Sequence, residues 1–194
     1  MPGLPSTQRG AATSRRILDA AAEEFARHGI AGARIERIIS TARTNKAQVY
    51  GYFGNKEGLF DAVVADCVDQ STAALPFDAD DLPGWAVRLY DENLHRPNLV
   101  RLIAWIQLER RPAGRWFDSS QHEHKIAAIA QAQAAGRLRP GDPFDLLTLV
   151  IAMANAWSPT SSVYTATEAD DPAEHERRRT LLHDFVARAV TSTP

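Results

Sequence analysis

Apolar residues recur along most of this chain at intervals of three and four, the spacing that places them on one face of an α-helix. In residues 34–42, Ile35, Ile38, Ile39 and Ala42 take positions i, i+3, i+4 and i+7. No stretch alternates convincingly with period two, so strands are not expected. The pattern predicts an all-α fold of about nine helices, at about residues 14–28, 34–42, directly after Asn45, directly after Asn55, 85–95, 98–110, 115–135, 143–158 and 172–190.

Side chains that cap helices stand at several of these predicted ends. Gly29 follows the last periodic position of the first helix and closes it. Asn45 can cap the third helix, and Gln48 three residues later completes a capping box. Asn55 can cap the fourth helix in the same way. The Pro- and Asp-containing stretch 73–84 is typical of a linker.

Two late helices have unusual faces. Residues 144–157 are apolar almost all the way round, which predicts burial of one side inside the subunit and of the other against a partner chain. In the last helix, Leu182, Phe185, Val186 and Ala189 are predicted to share one face. The arginine run 177–179 is then predicted to be a solvated surface.

Charge is distributed unevenly along the chain. Residues 1–56 contain nine Lys/Arg and four Asp/Glu, a net charge of +5, whereas the other residues contain 13 and 20, a net charge of −7. A basic first part on an acidic body indicates a polyanion partner for that part alone. Chance clustering of surface charge explains the count equally well, so charge by itself leaves both alternatives open.

The sequence also bears on where the protein works. Cys67 is the single cysteine, which rules out a disulfide within one chain and fits a reducing compartment. The N-terminal residues lack the apolar segment of a secretory signal, and no apolar run is long enough to span a membrane. We therefore expect a cytoplasmic protein with no membrane partner.

The first three predicted helices match a helix-turn-helix, because the second and third are short and are joined by a tight turn. Val49 and Phe53 are expected to anchor the third helix in the core. Its outward residues are donors and amphipathic rings, which suit phosphates and base edges: Lys46, Ala47, Gln48, Tyr50 and Tyr52.

The order and spacing of these motifs resemble the DNA-binding domain of the TetR family of transcriptional regulators. The similarity covers residues 14–60, with Phe25, His28 and Gly29 ending the first helix, Tyr-x-Tyr-Phe ending the third, and Asn-Lys-Glu-Gly-Leu-Phe after it. It implies a repressor that binds a double-stranded DNA operator, responds to a small molecule and dimerises through its last two helices. It also implies three segments: a flexible arm at 1–12, a helix-turn-helix domain at 13–56, and a helical effector-binding and dimerisation domain at 57–194.

The resemblance assigns DNA contacts residue by residue. The implied contacts to phosphates and bases come from the second helix, the turn, the third helix and the start of the fourth: Arg34, Arg43, Thr44, Asn45, Lys46, Ala47, Gln48, Tyr50, Tyr52 and Lys56. Two positions depart from the family pattern. Arg43 stands where the turn usually has glycine, and Ala33 stands where the second helix usually has a threonine cap.

Ordinary structural roles compete with these assignments. The aromatic rings of residues 50–53 are also suited to the core, and Lys46 and Lys56 are also suited to solvent. However, the helix macrodipole disfavours cations at helix N-termini, so two lysines at such positions favour an anionic partner.

For the ligand, the sequence supplies only aromatic and soft apolar side chains in the second part of the chain. The candidates are Trp85, Tyr90, Leu102, Trp105, Trp116, Phe117, Met153 and Trp157. Few charges lie among them, which favours a mostly apolar effector. Filling of the core is the alternative role for the same residues.

Other functions have less support in the sequence. His122 and His124 are two residues apart, so they do not share a helix face and do not indicate a metal site. No nucleophile–base pair, phosphate-binding loop or pair of carboxylates occurs, so we predict no catalytic residue, no cofactor and no enzyme activity. The competing function is a structural or protein-interaction module that binds DNA without small-molecule control.

Overall fold

The computed structural model describes residues 8–110 and 120–191. Over these ranges the chain forms nine α-helices and a 3₁₀ turn at Ala79–Asp81, with no strand, which confirms the all-α prediction. The helices are α1 (Gln8–Gly32), α2 (Ile35–Ala42), α3 (Lys46–Phe53), α4 (Lys56–Ala74), α5 (Leu82–His95), α6 (Asn98–Glu109), α7 (Ser120–Ala134), α8 (Pro143–Ala154) and α9 (Pro172–Val190). None of the described helices is both long and apolar enough to cross a membrane.

Two helices begin earlier than predicted. Helix α1 already includes residues 8–12, which were assigned to a flexible arm; residues 1–7 lie outside the described part of the chain. Thr13 does not cap this helix, since its hydroxyl donates to the Arg9 carbonyl at 3.0 Å, as threonines inside a helix do. Helix α5 begins at Leu82 because the Asp81 carboxylate accepts the backbone N–H of Gly84 at 2.9 Å.

The helices form two compact units. Helices α1 to α4 together with α6 form the first unit, and α5, α7, α8 and α9 form the second. This division differs from the predicted boundary after residue 56, because α4 and α6 group with the helix-turn-helix. Helix α6 packs along α1, and the rings of Phe25 and Phe60 meet edge to face at 5.1 Å in the interior of the first unit.

Gly29 is the point at which α6 approaches α1 most closely. Its φ of 71° breaks α1 three residues before the end of the helix, as the sequence predicted for a closing glycine. A Cβ at this position would lie 2.7 Å from the Trp105 ring and would collide with the Glu109 carboxylate. That carboxylate accepts the backbone N–H groups of Ile30 and Ala31, each at 2.9 Å, which satisfies donors that the break leaves free.

The second unit has its own apolar core, to which all four of its helices contribute. The buried residues are Leu82, Trp85, Ala86, Tyr90, Ile129, Ala132, Leu146, Leu147, Val150, Ala154, Leu182, Val186 and Val190. On α9 the core face follows Leu182, Val186 and Val190, whereas Phe185, on the same apolar side of the helix, is 58% exposed. Phe185 is three residues from Leu182, so its side chain lies beside the row of buried residues on α9.

The arginine run on α9 is also not the solvated surface that the sequence predicted. Arg178 is buried and pairs with Asp170 at 2.8 Å, while Arg179 pairs with Asp91 at 2.8 Å. Arg177 alone is well exposed and pairs with Glu174. Asp170 and Asp91 come from a loop and from another helix, so the spacing of charges within α9 gave no sign of these pairs.

Candidate DNA-binding site

The turn between α2 and α3 is built by a non-glycine residue in the left-handed conformation. Arg43 has φ 51° and ψ 55°, and it is the only non-glycine residue with positive φ in the described part of the chain. Its backbone N–H bonds the Ser40 carbonyl at 3.3 Å, and that of Thr44 bonds the Ile39 carbonyl at 3.1 Å, a Schellman end. The departure from glycine therefore leaves the turn intact at a cost of about 1 kcal/mol.

Asn45 starts the helix that would enter the DNA groove. Its side-chain oxygen accepts the backbone N–H of Gln48 at 2.9 Å, as predicted for an N-cap. The second half of the predicted capping box does not form. Instead the Gln48 side-chain oxygen accepts the hydroxyl of Thr44 at 2.6 Å, which leaves the amide N–H groups and one acceptor position of the oxygen for other partners.

The start of α2 is capped from another helix. Arg34 is the N-cap residue and provides no side-chain cap, so Ala33 lies one position before the cap site that the sequence assigned to it. The carboxylate of Glu24 on α1 accepts the Arg34 backbone N–H and the Arg37 guanidinium, both at 2.8 Å. Partial burial opposes ionisation, but these hydrogen bonds lower the pKa of Glu24 below its usual value. The Glu24 carboxylate therefore stabilises the start of α2 in place of a side-chain cap from the N-cap residue.

Basic residues of the first unit divide by their partners. Arg15 pairs with Asp66 at 2.6 Å, and Arg37 pairs with Glu24. A second group makes no side-chain hydrogen bond or ion pair within the described residues: Arg9, Arg27, Arg34, Arg43 and Arg101. Within that group, Arg34 and Arg43 flank α2.

Helix α3 buries one face and exposes the other. Val49 and Phe53 are buried, as predicted, while Tyr50 and Tyr52 are half-buried and so are not full core residues. Lys46 and Ala47 are exposed. The Lys46 ammonium lies 5.7 Å from the Tyr50 ring centroid and 3.6 Å from the Glu36 carboxylate in an exposed ion pair, which is a weak interaction.

Lys56 has an internal partner that the sequence did not reveal. Its ammonium donates to the Ala31 carbonyl at 3.1 Å, close to the C-terminus of α1, where the helix macrodipole favours a cation. The position of Lys56 at the start of α4 therefore no longer indicates an anionic partner. The position of Lys46 at the start of α3 still does.

Comparison with known proteins matches both parts of the chain. Residues 17–63 match the model of bacterial regulatory proteins of the tetR family, and residues 81–188 match the tetracyclin repressor-like C-terminal domain. The second match alone covers more than half of the chain. The chain belongs to the TetR family.

Individual relatives agree with this assignment. The HTH-type transcriptional repressor SCO4008 of Streptomyces coelicolor is 43% identical over 148 residues, which cover 74% of this chain and 77% of that protein. SCO4942 of the same species, assigned as a transcriptional regulator, has a structure with a TM-score of 0.79 and 38% identity, covering 93% of this chain and 99% of that one. The prediction of a DNA-binding transcriptional regulator is confirmed.

A more distant structure shows the fold alone. AibR, which was solved in complex with isovaleryl coenzyme A and operator DNA, has a TM-score of 0.63 and 18% identity, covering 90% of this chain and 97% of that one.

The predicted ligand residues of this TetR-family chain are divided between the two units. Leu102 and Trp105 belong to the first unit, where the Trp105 indole N–H donates to the Ala26 carbonyl at 3.2 Å. Trp85 and Tyr90 are buried in the core of the second unit, and Met153 is partly buried against it. Trp116 and Phe117 lie outside the described residues.

Trp157 is the one predicted ligand residue that lines the cleft described in the second unit. The cleft has a volume of about 450 Å³. Its other lining residues are mostly charged and come from the α8–α9 loop and the first turns of α9: Tyr164, Asp170, Asp171, Glu174, Arg177 and Arg178. None of these residues was among the predicted ligand residues. The carboxylates of Glu174 and Asp170 are paired with Arg177 and Arg178, and that of Asp171 accepts the Ala173 backbone N–H.

Proposed function

We propose that this chain is a repressor that binds a pseudo-palindromic operator as a homodimer and leaves it when a small molecule binds the second unit. The observation that carries the proposal is the charge around the helix-turn-helix. Arg34 and Arg43 have no internal side-chain partner among the described residues, and Lys46 has only an exposed ion pair. Charges left in this state at helix ends suit DNA phosphates, which position the protein on the duplex.

Base recognition is proposed for the exposed face of α3. The Gln48 oxygen accepts the Thr44 hydroxyl and keeps one acceptor position, while the amide also presents two N–H donors. Such donors suit the major-groove acceptors O6 and N7 of guanine, O4 of thymine and N7 of adenine. Tyr50 and Tyr52, both half-buried, have hydroxyl groups suited to phosphates or base edges.

Selection of bound genomic fragments tests this assignment. Gln48→Ala should change the sequence preference, and Lys46→Ala should weaken binding to all sequences and lower the salt slope by about two, one for each subunit of the dimer. Arg27→Ala removes another unpartnered charge of the first unit, outside α2 and α3, and serves as the control. DNA binding that is unchanged in the two α3 variants would overturn the proposed interface.

Dimerisation through α8 and α9 is supported by apolar side chains left on the surface of a single chain. Leu149 on α8 is 61% exposed, and Leu181 and Phe185 on α9 are 46% and 58% exposed. Thr148 and Ala152, next to Leu149 on the helix surface, are exposed as well. Large apolar residues on two helices of one unit favour burial against a second copy, which would set two α3 helices about 34–36 Å apart on DNA.

Sedimentation velocity tests the dimer. Phe185→Glu should shift the protein from dimer to monomer, since a buried unpaired carboxylate is costly in an apolar interface. Leu108→Glu changes an equally exposed apolar residue on α6 and should leave the dimer intact. A dimer that survives Phe185→Glu, or a monomeric wild type, would contradict the proposal.

Release by a small molecule is supported by the architecture. AibR, a protein of this fold, was solved with both a coenzyme A derivative and operator DNA, so one chain of this fold holds both kinds of ligand. The competing function, a DNA-binding module without such control, predicts that no small molecule changes operator affinity. A thermal-shift screen followed by operator titration separates the two: a compound that raises Tm and weakens operator binding favours release.

A further inference from the structure

Lys125, on α7, lies inside the second unit. Its side chain is only 8% exposed, although lysine usually keeps its ammonium group in water. The ammonium lies 5.3 Å from the ring centroid of Trp85 and 5.9 Å from that of Phe77. These two rings meet edge to face at 5.1 Å, so the cation stands against an aromatic pair.

The same place holds a second donor without an acceptor. Trp85 is 2% exposed, and its indole N–H has no hydrogen-bond partner within the part of the chain that is described. A buried indole N–H normally finds an acceptor, because leaving it unpaired costs most of its hydration. Within the described residues, a buried indole N–H and the ammonium of a largely buried lysine therefore lie close together without an acceptor oxygen.

The described part of the chain offers the ammonium no counter-charge. Among the residues that the structure describes, no carboxylate forms an ion pair with Lys125, and burial lowers its pKa below the usual value. The nearby basic groups are His122 and His124 on the same helix. Burial and the charge of Lys125 together lower the pKa of His122, while the His124 ring contacts that of Phe77. The surroundings are basic and aromatic.

We propose that Lys125 and Trp85 bind the carboxylate of a small organic acid whose hydrocarbon part packs on the rings of Phe77 and Trp85. A carboxylate supplies the two acceptors that the buried donors lack, and it pairs with the cation where water is excluded. The inference names the ligand class for the proposed release from DNA and rests on that proposal. It replaces the mostly apolar effector expected from the sequence with an amphipathic acid.

A purely structural role for Lys125 makes an opposite prediction for stability. If the ammonium were there to hold the two rings, Lys125→Met would lower Tm. If the charge is kept for a ligand, the variant relieves the burial of an uncompensated cation while nearly preserving volume, and Tm should rise by a few degrees. A variant that is less stable or does not fold contradicts the proposal.

Thermal shift with matched probes tests the binding site. The probes are octanoate and 4-phenylbutyrate, each compared with its uncharged amide. At least one of the two acids should raise the Tm of the wild type above the effect of its amide. Lys125→Met should weaken binding of that acid at least about tenfold, and Trp85→Phe should weaken it several-fold. Arg137→Met, an exposed basic residue of the same unit, should keep the wild-type response.

Operator titration of the wild type separates this inference from the proposed function. Acid binding that depends on Lys125 supports the site, whether or not the acid weakens operator binding. If the bound acid leaves operator affinity unchanged, the proposed release from DNA fails. Absence of a carboxylate-specific shift, or a shift that is unchanged in Lys125→Met, overturns the site. In that case intact operator binding and release by another compound leave the proposed function standing.

Discussion

Two groups of basic residues in this chain have opposite surroundings. Arg34, Arg43 and Lys46, around the helix-turn-helix, are exposed and have either no internal partner or only a weak exposed one among the described residues. In the run 177–179 on α9, every arginine is paired with a carboxylate, and Arg178 is buried. The denser cluster is thus the structural one, and the scattered group is the one suited to an anion.

The difference shows that partners, more than the number of charges, indicate a polyanion site. Outside residues 1–56 the chain has 20 Asp/Glu against 13 Lys/Arg, so an arginine there usually meets a carboxylate. Around α2 and α3, acids are few, and Glu24 already serves Arg37 and the backbone of α2. Replacing one arginine of each group at a time tests whether the two groups have these different roles.

The largest effect is expected from the buried arginine. Arg178→Ala should lower Tm by roughly 10 °C, because it leaves Asp170 without its partner in a largely buried position. Operator affinity should change little at temperatures where the variant is folded. Arg177→Ala, whose side chain is exposed, should change Tm only slightly. Differential scanning calorimetry of the two variants checks this, and similar losses in both would contradict the pairing.

Acid should remove the stabilisation by the same pair. The hydrogen bond from Arg178 lowers the pKa of Asp170 to about 2, below its value in the unfolded chain. The stabilisation is therefore complete above the unfolded pKa, near 4, and is lost as the pH falls from there towards about 2. Asp170→Asn should lower Tm at neutral pH, and the gap to the wild type should narrow in that range.

An exposed carboxylate provides the control for this pH series. Asp69→Asn should leave Tm unchanged at every pH, since this exposed side chain makes no described ion pair. A gap for Asp170→Asn that stays constant down to pH 3 would show that the aspartate is not held by Arg178.

A smaller effect is expected from two neighbouring arginines of α2. Arg34→Ala should weaken operator binding several-fold and lower the salt slope by about two, one for each subunit of the dimer, with little change in Tm. Arg37→Ala should lower Tm instead, because its guanidinium is bound to Glu24. Fluorescence anisotropy over a salt series, together with thermal melts, distinguishes them. If both variants had the same salt slope, paired and unpaired arginines would not differ in their contribution to DNA binding.

The smallest effect is expected at the turn. Arg43→Gly should raise stability by about 1 kcal/mol, or Tm by about 2–4 °C, because glycine adopts the left-handed conformation without strain. If the arginine is retained for a phosphate contact, the same variant should bind DNA more weakly. Higher stability with unchanged DNA affinity would mean that the strain has no function in binding.

Local features could be predicted from the sequence, and long-range ones could not. The cap at Asn45 follows from residues a few positions apart and was predicted, while the family resemblance marked Arg43 as the glycine position of the turn. Glu24 replaces the missing cap of α2 from 10 residues away, and Trp105 bonds Ala26 from 79 residues away. Composition likewise shows which aromatic residues exist, but only packing decides that Trp85 is buried beside Lys125.

We propose that the unpartnered charges around α2 and α3 contact DNA and that the paired charges of α9 do not. Two double variants with the same loss of charge distinguish the two groups: Arg34→Ala with Lys46→Ala, and Arg177→Ala with Arg179→Ala. Operator affinity is measured from low to high salt. The expected salt slope is smaller by about four per dimer in the first variant and equal to that of the wild type in the second. Equal slopes in the two variants would contradict the proposed DNA contacts.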